Sequence, residues 1–324
     1  MKDTLINREP HSYMAALMAD SMNQVLDKLM VPPGRRVSLR QDYDPGYTGH
    51  FTSKAKAEET LARDIGALAD LQYKLYAQDT YALLLILQGL DSAGKDSTIR
   101  HVMSGVNPQG VQVTSFKVPS MEELDHDFLW RHFKVLPRRG DIGIFNRSYY
   151  EEVLVVRVHP KYLDRQHLPA ALKGETIWKR RFEEINNFEK YLVENGIVVL
   201  KCLLNVSKEV QKKRFLERIE IPEKSWKFSA SDIRERRYWD LYQDAFDEMV
   251  NNTSTELAPW YVIPADHRWF ARLAVVSLLL RTMKALELHY PEISPQERRA
   301  LLAGKKEMEQ EEDEPGRETG GNHG

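Results

Sequence analysis

The stretch "LLLILQGLDSAGKDSTIRHV", Leu83 to Val102, decides the fold. "LLLILQ" is a short continuous apolar run that ends at a glycine, the pattern of a strand buried on both faces. Gly89-Leu-Asp-Ser-Ala-Gly94-Lys95-Asp96 follows and nearly matches the phosphate-binding pattern G-x4-G-K-[ST]. The next residues, "KDSTIRHV", read as a helix. In that order, backbone N–H groups of the loop and helix N-terminus face a phosphate, and the helix dipole favours its charge. Gly89, Ser92, Ala93, Gly94, Lys95 and Asp96 are therefore the candidate phosphate-binding residues, with Lys95 adding a point charge. The plain alternative is a tight strand–helix turn with a chance lysine.

Two acids interrupt the pattern. Asp96 stands where a hydroxyl is expected, and Asp91 lies inside the loop. Carboxylates beside phosphate oxygens repel them unless a cation intervenes, and Mg²⁺ commonly uses one or two carboxylates plus phosphates. Asp91 is the first candidate ligand. Asp96 is either a second one or a favourable first-turn acid on the helix, and Ser97 and Thr98 cap or pack.

The apolar run "IGIF" (142–145) ends at Asn146, which offers a carbonyl oxygen to Mg²⁺, directly or through water. Arg147 follows. An arginine at a strand end, where α/β sheets bind ligands, can stabilise charge on a transferring phosphoryl group. Its alternative is an ion pair with Glu151, worth a few tenths of a kcal/mol. The candidate catalytic set is thus Asp91, Lys95, Asn146 and Arg147, and the candidate metal ligands are Asp91 and Asn146.

Further strands are expected at 111–116, 197–206 and 260–264. Helices are expected from Thr52, from a capping box at Ser120–Glu123, and over 176–194, 207–219, 231–250 and 267–288. Strands alternating with helices give an α/β class with a parallel sheet and helices on both faces. Residues 1–51 read as an N-terminal extension, 52–304 as the main domain and 305–324 as a disordered acidic tail.

The 324 residues suffice for one large α/β domain with a sizeable core. Hydrophobic residues make up 42%, and the net charge of -2 gives no bulk reason for nucleic-acid or membrane binding. Any polyanion must therefore meet local basic clusters. Cys202, the single cysteine, lies in an apolar run and reads as a small buried hydrophobe. The N-terminus has no apolar signal core, and no apolar run reaches the roughly 20 residues that span a bilayer, so a cytoplasmic chain is expected.

The blocks "LQGLDSAGKDSTIRHVMSGVNPQG", "SFKVPSMEELDHDFLWR" and "GIFNRSYYEEVLVVRVHP" closely resemble the polyphosphate kinase 2 family, and "SGVNPQG" with "YYEEVLVVRVHP" resembles its class III branch. The likeness runs from about Thr52 to His289. It implies a P-loop kinase-like α/β/α fold with a mobile helical lid. The implied activity is phosphoryl transfer between inorganic polyphosphate and nucleoside mono- and diphosphates, with Mg²⁺ or Mn²⁺. Asp91 and the strand-end residue would be metal-associated, with Lys95 and Arg147 on phosphates. The family's strand-end residue is often Asp; here it is Asn146.

The resemblance places the lid at about 207–240. A polyphosphate path must be lined with Lys and Arg, and Lys212, Arg214, Arg218 and Lys227 are the candidates there, Arg214 and Arg218 sharing one helical face. The alternative is solvated helix faces. For the purine nucleotide, Gly105, Asn107 and Arg131 are candidates; a helix cap and turn roles compete for the first two. The helix around 178–190 reads as exposed, with Arg181 a weaker phosphate candidate. The family allows a homo-oligomer. An ATP-dependent nucleoside monophosphate kinase and a nucleotide-binding module without turnover are the rival functions.

Overall fold

A computed structural model describes residues 22–174, 176–226 and 229–311. The five expected strands form one sheet: β1 (Ala82–Gln88), β2 (Val111–Ser115), β3 (Ile142–Asn146), β4 (Ile197–Asn205) and β5 (Trp260–Pro264). Its order is β2-β3-β1-β4-β5, and every pairing is parallel. Parallel strands need crossovers, and the helices supply them. The elements used below are α1 (Lys54–Gln78), α2 (Lys95–Val102), α3 (Ile177–Glu194), α4 (Lys208–Glu220), α5 (Ala230–Glu235), α6 (Trp239–Thr253) and α7 (Arg268–Ala285).

Strand β1 is central and wholly buried. Its alternate residues face opposite cores. Leu83, Leu85 and Leu87 pack with Leu61, Leu68 and Leu75 of α1 and the apolar side of α7. Leu84 and Ile86 pack with Phe182, Ile185 and Phe188 of α3 and Phe246 and Met249 of α6. Full burial of each such side chain stabilises by roughly 1.5–3 kcal/mol, which is why a run with no polar alternation settles in the middle of the sheet.

The segment 22–51, set apart above as an extension, contributes Met22, Leu26, Leu29, Val31 and Leu39 to these same cores. It also covers the outer edge of β5: Val31 donates its N–H to the Trp260 carbonyl at 2.8 Å, and Met30 bridges Tyr261. The segment contains a short helix, Leu39–Asp42. The capping box forms as expected: Ser120 N–H donates to Glu123 Oε2 at 2.7 Å, and Glu123 N–H donates to Ser120 Oγ at 3.2 Å.

The expected helix over 231–250 is divided into α5, a 3₁₀ turn at Arg236–Tyr238, and α6. A second unit begins at His289 and carries α8 (Pro295–Glu311). This corrects the expectation of disorder from 305. Polar residues at helix-favouring spacing, Lys305 and Glu309 paired at 3.5 Å among them, extend the helix through Glu311. The remainder of the tail, 312–324, lies outside the described residues, as does Lys227. No helix among the described residues is long and apolar enough to cross a membrane.

Candidate active site

The loop between β1 and α2 is shaped by backbone conformations that few residues tolerate. Gly89 has φ +146°, and a Cβ there would stand 2.8 Å from the Leu204 carbonyl oxygen. Gly94 has φ +115°. Both require glycine. Ser92, at φ +65°, takes the left-handed region with a side chain.

Lys95 opens α2, but its side chain folds back into the loop. Its Nζ donates to the carbonyls of Gly89 at 2.7 Å and Leu90 at 3.2 Å. Burial, and then the neighbouring Arg147 cation, lower its pKa to about 8. A lysine so poised keeps its charge at neutral pH, and its hydrogen bonds go to neutral carbonyl dipoles.

Strand β3 ends beside the loop, with Asn146 paired to Leu87 of β1. Asn146 Nδ2 donates to Asp96 Oδ1 at 2.6 Å and to Ser115 Oγ at 3.3 Å. Asp96 therefore ties α2 to the end of β3. Arg147 sits at φ +64° and donates its N–H to the Leu87 carbonyl at 3.0 Å. Its guanidinium joins the Asp91 carboxylate and, at 3.1 Å, Glu151. Glu151, chiefly, and Asp91 raise the Arg147 pKa above the ordinary arginine value. The ion pair with Glu151 is therefore present, and a second one joins Arg147 to Asp91 of the loop.

The lid candidates divide. Lys212 is exposed. Arg218 meets Asp232 at 3.4 Å. Arg214, expected on polyphosphate, is instead buried beneath the loop. Its Nη1 donates to the carbonyls of Ser92 (3.0 Å) and Ala93 (2.8 Å), and its Nη2 to those of Ala265 (2.5 Å) and Asp266 (3.1 Å). With all these bonds spent on backbone, it braces the loop. Gln211, one turn earlier, donates to the Asp91 carbonyl at 3.0 Å.

The nucleotide candidates are held by structural contacts. A Cβ on Gly105 would lie 2.7 Å from Ile65 Cγ2, so the glycine permits close packing against α1. Asn107 caps the turn at Pro108–Gly110. Arg131 pairs with Glu123 at 3.1 Å, donates to the Lys117 carbonyl at 2.8 Å and lies over Phe116. Arg181 is likewise buried rather than exposed, joined to Glu152 at 2.9 Å and Glu184 at 2.7 Å.

A small cleft, open to solvent, adjoins the loop. Asp91, Arg147 and Glu151 line one side; Asp232, Glu235, Arg236, Trp239 and Tyr242 line another, with Leu154 and Val155. None of Gly105, Asn107 and Arg131 lines it. Trp239 and Tyr242 recur at a helical spacing that cannot tell a core face from a pocket wall. Among the described residues, no cluster of three His, Cys, Asp or Glu side chains forms a metal cage.

The family model of polyphosphate kinase 2 matches residues 51–291. The chain belongs to the polyphosphate kinase 2 family. An ADP-polyphosphate phosphotransferase of Rhodopseudomonas palustris is 50% identical over 259 residues, covering 80% of this chain and 90% of that one. An AMP/ADP-polyphosphate phosphotransferase of Meiothermus ruber is 42% identical over 268 residues, 82% of this chain and 96% of that one. The crystal structure of polyphosphate kinase 2 from Arthrobacter aurescens TC1 superposes with a TM-score of 0.77 at 43% identity, covering 88% of this chain and 98% of that one. Membership in this family places the loop and the β3 end described above on a P-loop kinase-like scaffold.

Proposed function

We propose that this member of the polyphosphate kinase 2 family transfers phosphoryl groups between inorganic polyphosphate and nucleoside mono- and diphosphates, AMP to ADP and ADP to ATP. The observation that carries the reading is the convergence of Lys95 and Arg147 at the end of β1, beside a glycine loop whose amides are free of strand pairing.

In the forward direction, an oxygen of the acceptor phosphate attacks the terminal phosphorus of polyphosphate. A P–O bond forms there as the bridging P–O bond breaks, and the shortened chain leaves with the electron pair. The acceptor oxygen is already ionised at neutral pH, so no general base is assigned. The protein's work is positioning and charge stabilisation. Lys95 moves from the Gly89 and Leu90 carbonyls onto a phosphate oxygen. Arg147, held on Asp91 and Glu151, presents its remaining N–H groups to the transferring group. The pocket walled by Trp239 and Tyr242 takes the nucleotide, and exposed Lys212 meets the donor.

The donor set suits a hard divalent cation, Mg²⁺ or Mn²⁺. Asp91 and Asp96 offer partly exposed carboxylates, and Asn146 an amide oxygen, too few to cage an ion without phosphates and water. Asp91 and Asn146 would hold it, with Asp96 steadying Asn146 through the 2.6 Å bond. Such an ion supplies neutralisation of phosphate charge.

Supplying polyphosphate or ATP separately with AMP, and following ADP and ATP, tests the reading. Product from polyphosphate supports it. Product from ATP alone identifies a nucleoside monophosphate kinase, and tight nucleotide binding without turnover from either donor identifies a binding module.

A further inference from the structure

Strand β1 ends at Gln88, which is fully buried, and Gly89 of the loop follows. The ladder between β1 and β3 ends beside it. Arg147 N–H still reaches the Leu87 carbonyl, but the next N–H, that of Ser148, meets the Gln88 side chain instead. With its oxygen toward Ser148, the amide accepts from the Ser148 N–H at 3.0 Å and from the Ser148 hydroxyl at 3.1 Å, and its nitrogen donates to Glu151 Oε1 at 3.0 Å. The opposite orientation sets oxygen against the Glu151 carboxylate and nitrogen against the Ser148 N–H, leaving the hydroxyl as its one partner. A buried amide takes the orientation that satisfies both ends.

Ser148 in turn caps the 3₁₀ turn at Tyr149–Glu152, its Oγ accepting from the Tyr150 N–H at 3.3 Å. Glu151 lies on that turn. Its Oε1 is held by Gln88, and its Oε2 accepts from Arg147 Nη1 at 3.1 Å. The two oxygens of one carboxylate are thus divided between a neutral, buried anchor and the guanidinium at the cleft. Gln88, Arg147 and Glu151 all line that cleft. Asp91, Asp96 and Glu151 already bring three carboxylates near Lys95 in a loop that receives phosphates. An amide orients Glu151 without adding a fourth negative charge.

We propose that Gln88 is a positioning residue for phosphoryl transfer: it fixes the plane of the Glu151 carboxylate and so sets where the Arg147 guanidinium stands. The inference rests on the role given to Arg147 above. Arg147 also pairs with Asp91, but Asp91 is the candidate cation ligand, and a carboxylate on a cation gives up part of its hold on an arginine. The Glu151 contact is then the one that keeps the guanidinium in line, and Gln88 is what holds Glu151.

Two variants test this, with AMP as acceptor and with polyphosphate and ATP supplied separately. Gln88→Met keeps the size and loses both polar ends. Its kcat is expected to fall about ten- to a hundredfold, while the KM for AMP stays within about twofold. Gln88→Glu keeps the acceptor for Ser148, and decides alone if Gln88→Met does not fold. Its carboxyl faces that of Glu151, and the pair shares a proton. With the proton, the bond to Glu151 is reproduced; without it, the two carboxylates repel. The ratio of its kcat to that of the unmodified enzyme is therefore expected to fall as pH rises. Arg147, Arg131, Lys95, Asp91 and Tyr242 also act near Glu151 and are common to both proteins, so the ratio isolates position 88. Unchanged kcat in a folded Gln88→Met protein, or a Gln88→Glu ratio that does not vary with pH, would overturn the proposal. Product from ATP but not from polyphosphate in the unmodified chain refutes the donor proposed above, and the Gln88 comparison is then read with ATP. Turnover from neither donor refutes both.

Discussion

The Lys95 ammonium lies 2.7 Å from the carbonyl oxygen of Gly89, inside the loop that both residues delimit. Before any substrate arrives, the cation is buried, charged and held by dipoles, ready to exchange them for a phosphate oxygen. Lys95→Ala is expected to lower transfer from polyphosphate to AMP by about a hundred- to a thousandfold, read as initial ADP formation. Near-normal rates in that variant would remove Lys95 from the mechanism.

The same residue sets a pH dependence. Its pKa is lowered to about 8 from 10.5, so the free enzyme keeps the charge below that pH and loses it above. The KM for polyphosphate is expected to be flat toward neutral pH and to rise as pH passes 8. Bound phosphate favours the charged form, so the break in kcat lies higher. Between about 8 and 10.5 the unfolded chain binds more protons than the folded one at this site. The burial penalty, complete below 8, therefore fades across that window. A donor KM that shows no inflection above pH 8 would contradict this.

Arg147 reaches Asp91 and Glu151 at once through separate nitrogens of one planar fork, whose geometry a compact ammonium does not reproduce. Arg147→Lys is expected to cost about a hundredfold in kcat with little change in thermal midpoint, since the residue is partly exposed. A loss confined to the nucleotide KM would make Arg147 a binding residue instead.

Arg214 and Lys212 stand two apart on α4 and should behave oppositely. Arg214→Met removes the donors of four loop and strand-end carbonyls, and is expected to lower stability by about 2–4 kcal/mol in urea unfolding. Lys212→Ala should leave stability unchanged and raise only the polyphosphate KM. A stable Arg214→Met protein with a raised donor KM would return Arg214 to the substrate.

Behind the turn that carries Arg147 lies a buried ion pair. Lys201 donates to Glu189 at 2.7 Å, to the Thr253 carbonyl at 2.6 Å and to Tyr150 OH at 3.0 Å; Tyr149 and Tyr150 both donate to Glu189. Lys201→Met alone should destabilise by about 3–5 kcal/mol, because it strands the Glu189 carboxylate. Adding Glu189→Leu should recover part of that loss, a non-additivity measurable by a double-mutant cycle. Strictly additive losses would mean the pair is not coupled.

The apolar run at Leu83–Leu87, the Gly89–Lys95 loop and the strand end at Asn146 determined the parallel sheet, its central strand and the place of the site. These are local signals: a strand with no polar face must be buried on both, and a loop that needs positive φ needs glycine. The capping box at Ser120 was legible for the same reason. Which partner each charged side chain meets was not, because that depends on elements far apart in the chain. Arg214 and Arg218 share a helical face, yet one turns under the loop to four carbonyls and the other to Asp232. Glu189 and Arg181 looked like charges balanced on an exposed helix. The packing of α3 on the sheet buries both and pairs them with Lys201 and Glu152. The bond from Arg272 to Ser97 likewise arises only when α7 is laid against α2. Periodicity fixes which face of an element is apolar; only the tertiary fold fixes what stands opposite its polar groups, and in a buried site that opposite group decides whether a charge braces the loop or meets the substrate.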